Sequence, residues 1–422
     1  MRNYYSLYGR LLSIQALGEA FKRVRKNKGA PCIDGQSVQD FAQNLESNLK
    51  QLLLELQEKR YQPQPVKRVE IDKDDGGKRL LGIPTVRDRV VQQCLSTIMT
   101  PIFDPDFHPS SYGYRPKRST HQAISKATLF VRQYRRQYVV DMDLSKCFDT
   151  LDHELIIQSV RRRITDGSIL NLINMFLKSG IMVGSSWQSN ELGSPQGGVI
   201  SPLIANIYLD VFDQEMKRRN HRIVRYADDG LAHCHSEVDA MRVKTALSER
   251  LRNCGLEMHP DKTKIVYCKD DDRTEKHPVT SFDFLGFTFR PRRSKNRWGK
   301  HFINFSPAMS AQAGKAIRQE VRSWKLHLRS DKSLLDLALM FRARIQGWIN
   351  YYGRFYKSAM YPTFKHINRK LCLWAMKKFK KLKHHRRRAE HRLGAIAVME
   401  PNLFPHWKLG VRPMNGCTGG AG

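Results

Sequence analysis

The chain has 422 residues, 73 Lys and Arg against 40 Asp and Glu, and a formal net charge of +33. Its 41% hydrophobic residues exclude wholesale disorder. No apolar run nears the roughly 20 residues of a bilayer span and no secretory h-region opens the chain, while eight scattered cysteines without a CxxC pair exclude a disulfide frame or zinc module.

What remains is an intracellular, globular, basic chain with a polyanionic partner and no membrane. In SVQDFAQNLESNLKQLLLELQEKRY, Val38, Phe41, Leu45, Leu49, Leu52 and Leu56 recur at three or four residues. The spacing predicts one helix, capped by Ser37 and stopped by Pro63 and Pro65. VKRVEIDKDDGGKRLLGIP then sets Asp-Asp-Gly-Gly between two β-prone runs, a hairpin signal, with Lys67, Arg68, Lys73, Lys78 and Arg79 around the turn.

Between residues 86 and 290 short strands and helices mix. YVVDMDL reads as a strand, and Ser201-Pro202 as a cap and first residue of a helix striped by Leu203, Ile204, Ile207, Tyr208, Val211 and Phe212. IVRYADDGLAHC reads as two strands joined at Asp228-Asp229-Gly230, and SFDFLGFTFRP as a second hairpin. Strands and helices do not alternate regularly, which predicts an α+β fold. After about residue 305 the chain reads as helical. Leu334, Leu337, Phe341, Ile345, Trp348, Tyr352 and Phe355 form one stripe, and Phe364, Ile367, Leu371 and Trp374 another, before a cationic run from Lys377.

Two acidic sites stand at strand ends: Asp143, and the pair Asp228 and Asp229. Acidic side chains form strands poorly, so carboxylates beside apolar strands point to chemistry. Two in a tight turn plus one from a neighbouring strand end suit a pair of Mg²⁺ ions roughly 3.5–4 Å apart, which activate a 3′-hydroxyl and neutralise pyrophosphate. Asp141 alternates with Asp143 and shares its face, so strand periodicity leaves open which one ligates. Between the two sites, Gly193, Gly197 and Gly198 permit close backbone approach, and Gln196 offers hydrogen bonds to a sugar or base.

YADD at Tyr226–Asp229, the block SPQGGVISPLIANIYL and DLSKCFD together resemble the reverse transcriptases encoded by group II introns. The likeness continues upstream in NKGAPCIDG, GGKRLLGIPTVRDRVVQ and PIFDPDFHPSSYGYRPKRSTHQA. Downstream it continues in GLEMHPDKTKIV, FDFLGFTF and FRARIQGWINYYGRFY, so it covers residues 27 to 380. The resemblance implies a right-hand polymerase followed by an α-helical thumb or maturase domain. The expected divisions are an N-terminal extension and start of the fingers over 1–85, fingers and palm over 86–290, thumb over 305–382 and a basic tail over 383–422. Asp143, Asp228 and Asp229 would be the metal-binding triad, with the Leu144 carbonyl as a further ligand and Mn²⁺ as the alternative ion. Phe148 would be the steric gate beneath the deoxyribose, and Gln196 the nucleotide-contacting glutamine. Lys78 and Arg79 are the candidates for the triphosphate, and Lys262 or Lys264 for a general acid.

The implied partners are an RNA template, intron RNA, a DNA primer or target, and dNTPs. The implied location is the cytoplasm, at the nucleoid when the protein acts on DNA. Cys32 departs from the glycine that relatives often carry at its position. His384, His385 and His391 lack the paired cysteines of a zinc-stabilised nuclease, so priming from pre-existing DNA ends or nascent strands is expected. Two other readings stay open. One is an RNA-binding maturase relying on Arg342, Arg344, Lys357, Lys365, Arg369 and Lys370; the other is a domesticated polymerase serving phage defence, spacer acquisition or DNA repair.

Overall fold

Why the chain folds as it does is clearest where apolar runs are short and bounded. The computed structural model describes residues 3–72, 77–145, 147–194 and 197–413, in two units, Met1–Ile265 and Val266–Gly422.

The first unit carries strands β1 (Val66–Asp72), β2 (Lys78–Ile83), β3 (Tyr138–Met142), β4 (Ile181–Val183), β5 (Ser186–Gln188), β6 (Arg222–Tyr226) and β7 (Asp229–Cys234), and β8 (Lys264–Tyr267) crosses its boundary. One four-stranded sheet has the order β6-β7-β3-β8, the other β2-β1-β4-β5. β3 and β7 are central and almost wholly buried, as continuous apolar runs require. The same unit carries the helices Val86–Phe103, Thr120–Arg132, His153–Arg161, Gly167–Lys178, Ser201–Arg218 and Glu237–Arg252.

The hairpin expected around residues 73–76 forms as β1 and β2, with Asp72 opposite Lys78; its turn lies outside the described residues. The helix expected from Val38 is instead two, Val38–Gln43 and Leu45–Gln57, broken at Asn44. Ser37 does cap the first, in a reciprocal capping box with Asp40. Ser201 is not a cap: Ile200 precedes the helix, Ser201 is its first residue, and the Ser201 hydroxyl accepts from that of Ser194 at 2.8 Å.

The second unit opens on a three-stranded sheet of β9 (Phe282–Phe284), β10 (Phe287–Lys295) and β11 (His301–Met309). β11 corrects the expectation of helix from 305 onward. Pro307 and the polar Asn304 and Ser306 blur its alternation, yet Phe305 is fully buried opposite Pro291. The helices Leu334–Tyr352 and Tyr361–Lys378 bury the expected stripes, among them Leu337, Ile345, Phe364, Ile367, Leu371 and Trp374. The expected basic tail is folded through residue 413. Helix Arg386–Met399 buries Ala389, Leu393 and Ala397, and Phe404 and Trp407 join the same core. Three small or apolar positions one helical face apart, followed by two large aromatics, outweigh the charge of the arginines around them. Among the described residues no helix is long and apolar enough to cross a membrane.

Candidate active site

Strand register alone brings the acidic residues together. β3 and β7 run antiparallel with Met142 opposite Gly230, so Asp143 and Asp229 each stand one step beyond that pair, at one end of the sheet. Tyr226 pairs with Asp229 between β6 and β7, leaving Ala227 and Asp228 as the connection. The turn therefore sits one residue earlier than expected. Ala227 takes the left-handed position (φ 57°), Asp228 follows it, and Asp229 opens β7.

The electrostatics report the same convergence. Burial raises the Asp228 carboxyl, and the neighbouring Asp143 raises it further. Asp229 is pushed up to about 7, by burial first and then by Asp228 and Asp143, with Lys262 pulling it back. Three hard oxygen donors repelling one another in a low-dielectric site fit a divalent cation such as Mg²⁺, whose charge relieves that repulsion. Among the described residues no group of three or more His, Cys, Asp or Glu side chains is arranged closely enough to hold a metal ion as they stand. Asp143 is engaged by Lys262, Nζ to Oδ2 at 3.2 Å.

The backbone explains why Lys262 arrives there. Ser145 N–H donates to the Glu257 carbonyl at 2.9 Å, His259 N–H to the Asp143 carbonyl at 2.8 Å, and Leu144 bridges Met258. Segment 257–259 thus runs beside 143–145 and delivers Lys262 to the carboxylate, whereas Lys264 is an exposed residue of β8. A cavity of about 650 Å³ opens over this end, lined by Asp143, Leu144, Phe148, Asp228 and Lys262 together with Lys78 and Arg79 of β2.

Phe148 is buried on a short 3₁₀ turn, Cys147–Asp149. The Ser194 N–H donates to its carbonyl at 2.8 Å, and Gly193 (φ 85°) lies so close that a Cβ there would stand 2.8 Å from the carbonyl oxygens of Phe148 and Asp149. The glycine is thus required twice, by conformation and by space. Gln196 falls outside the described residues. Asp141 lies within β3 opposite Leu231, whereas Asp143 lines the cavity.

Sequence reasoning passed over several residues here. Asn190 and His259 line the cavity on irregular segments; His259 lies within the GLEMHPDKTKIV block, but no role had been assigned to it. Arg225, buried in β6 and paired with Asp213, was overlooked although a charged residue inside IVRYA was a visible signal.

Residues 71–289 match the family model described as reverse transcriptase (RNA-dependent DNA polymerase), and residues 314–393 match the maturase-specific domain of group II introns. The chain is 41% identical over 208 residues to Protein YkfC of Escherichia coli, covering 48% of this chain and 55% of that one. It is 27% identical over 434 residues to the group II intron-encoded protein LtrA of Lactococcus lactis, covering 82% of this chain and 70% of the relative. The chain thus spans about half the length of the first relative and about two thirds of the second. Among solved structures, telomerase from Candida albicans is similar at a TM-score of 0.47 and 14% identity, over 89% of this chain and 68% of the telomerase chain.

Proposed function

The chain belongs to the reverse transcriptase (RNA-dependent DNA polymerase) family and carries the maturase-specific domain of group II introns, and from that premise we propose that it is an RNA-templated DNA polymerase adding dNTPs to a primer 3′-hydroxyl. The observation that carries the reading is the meeting of Asp143, Asp228 and Asp229 at one sheet end, beneath a cavity that Lys78 and Arg79 also line.

Each side chain has a part in that chemistry. Lys78 and Arg79 counter the charge of the triphosphate, by point charge and by guanidinium fork. The Phe148 ring, carried on a backbone held by the Ser194 and Gly193 contacts, fills the space a ribose 2′-hydroxyl would need. Lys262 gives a proton to the departing pyrophosphate. Two Mg²⁺ ions held by Asp143, Asp228, Asp229 and the Leu144 carbonyl would supply charge stabilisation at the α-phosphate and lower the pKa of the primer hydroxyl. Template and primer are held chiefly through phosphates and 2′-hydroxyls, largely independent of sequence. The same reading puts the protein in the cytoplasm, at the nucleoid when it acts on DNA.

Primer extension on an RNA template tests it: Asp228→Asn abolishes synthesis and leaves RNA affinity unchanged. Full Mg²⁺-supported extension by that variant overturns the reading. The match over 314–393 favours a second activity on the same scaffold, stabilisation of folded intron RNA for splicing. There Arg342, Arg344, Lys357, Lys365, Arg369 and Lys370 matter more than the aspartates. Splicing that survives Asp228→Asn separates the two activities, and an intron RNA whose splicing never responds to the protein ends the second.

A further inference from the structure

Arg225 is 2% exposed and Asp213 is fully buried, an expensive place for two charges. A pair of apolar side chains would hold helix Ser201–Arg218 against β6 about as well, so the ion pair calls for another reason. Its geometry supplies one. Arg225 Nε lies 2.9 Å from both carboxylate oxygens of Asp213, and Nη2 donates to Oδ2 at 2.6 Å. That leaves Nη1, which donates to the Ala227 carbonyl at 2.8 Å and to Asn206 Oδ1 at 3.2 Å. Asn206 Nδ2 in turn donates to the Gly113 carbonyl at 2.8 Å.

The Ala227 carbonyl and the Asp228 N–H belong to one planar peptide unit. Fixing the direction of that oxygen fixes the plane from which Asp228 departs. Ala227 needs such support, because its left-handed backbone is unfavourable for a residue with a Cβ. Asp213 neutralises the guanidinium, and burial keeps it from any nucleotide phosphate.

We propose that Arg225 is a positioning residue for the polymerase site, an internal bracket, anchored on Asp213 and Asn206, that sets the Ala227–Asp228 peptide and so the place of the Asp228 carboxylate. The inference rests on the proposed polymerase reading and adds a residue that touches neither substrate nor metal. A displacement of about 1 Å at a reacting centre costs on the order of 10²-fold in rate, so loss of the bracket is felt in turnover.

The test separates holding the fold from holding the turn. The double variant Arg225→Met/Asp213→Leu removes both charges and keeps the bulk, so its melting temperature and RNA affinity stay near wild type. Its kcat for single-nucleotide incorporation falls about 30- to 100-fold with little change in KM for dNTP. Binding of Mn²⁺, read directly by electron paramagnetic resonance of the free ion, weakens in parallel. A double variant that melts, turns over and binds Mn²⁺ like wild type overturns the proposal. Should that variant fail to fold, Arg225→Lys carries the same measurements, because a single ammonium keeps the pair with Asp213 but does not also span to Ala227; wild-type kcat there is equally fatal. Wild-type protein with no polymerase activity would sink the proposed function instead, and Mn²⁺ binding then still reads the bracket.

Discussion

Lys262 holds Asp143 across 3.2 Å, a cation set against one of three mutually repelling carboxylates. Its side chain is half exposed, so it is free to swing toward a departing phosphate once Asp143 is otherwise engaged. Lys264 begins β8, is exposed and does not line the cavity. General acids typically contribute 10²- to 10⁴-fold. Lys262→Gln is therefore expected to slow single-nucleotide incorporation by about 10²-fold with KM for dNTP nearly unchanged, and Lys264→Gln to stay within about twofold. Rapid-quench kinetics on one RNA template checks both, and equal loss from the two variants would remove Lys262 from the role.

Phe148 makes a prediction about sugar choice. Its ring is buried, yet it lines the cavity beside Asp143. Phe148→Val opens the space beneath a nucleotide sugar, and incorporation of ribonucleotides relative to deoxyribonucleotides should rise at least about tenfold. The truncation also leaves a void, with an expected stability loss of about 1–3 kcal/mol. Competition between rNTP and dNTP in primer extension measures the first effect, and an unchanged ratio with a lowered melting temperature would make Phe148 ordinary core.

Much of this site was legible in the residues because strand physics is local. YVVDM and GLAHC are apolar runs that form central strands, so acidic residues just beyond them had to lie at a sheet end. The one-residue error in the turn has a local cause too. Asp-Asp-Gly is a good turn sequence, but the ladder runs as far as Tyr226↔Asp229 and forces Ala227 into the left-handed position. The buried pair of Arg225 and Asp213 was illegible for another reason: a helix and a strand each carry one misplaced charge, and only the tertiary contact pairs them. Residues 386–413 misled because arginines dominate their composition while burial follows Leu393, Phe404 and Trp407.

Gly113 offers a steric test of how tightly the acidic turn is held. A Cβ there would stand 2.4 Å from the Ala227 nitrogen and 3.0 Å from the Tyr226 carbonyl carbon, both backbone atoms that cannot turn aside. Segment 110–112 is also fixed to β6, with Arg225 N–H donating to the Ser110 carbonyl and Tyr112 N–H to the Arg225 carbonyl, each at 2.9 Å. Gly113→Ala should cost about 1–3 kcal/mol of stability and lower nucleotide incorporation by more than about tenfold even where the protein remains folded. Gly347→Ala is the control, since nothing lies within 4 Å of its added Cβ and helix propensity favours alanine. Thermal melts and extension rates on the two variants decide the matter; a fully active Gly113→Ala would mean the turn tolerates displacement.

The C-terminal unit carries a pH dependence of its own. His406 is fully buried, stacks on Phe364 and packs against Phe404 and Trp407, and burial pushes its pKa down to about 3. Its Nε2 meets Asn368 Oδ1 at 2.7 Å, an oxygen that also accepts from Trp407 Nε1 at 2.9 Å, so Nε2 carries the proton. Nδ1 has no hydrogen-bond partner among the described residues, and a proton there would be a buried donor without an acceptor. The unfolded chain binds this proton below about pH 6.5 and the folded chain does not until about 3, so stability is complete above 6.5 and falls as pH drops through that window. By pH 4.5 the loss from this one group is about 3 kcal/mol. His406→Gln keeps an N–H aimed at Asn368 and removes the titration. Urea unfolding of wild type and variant at pH 7.5 and 4.5 should therefore give a smaller acid loss in the variant, and parallel losses in the two proteins would assign the acid sensitivity to other groups.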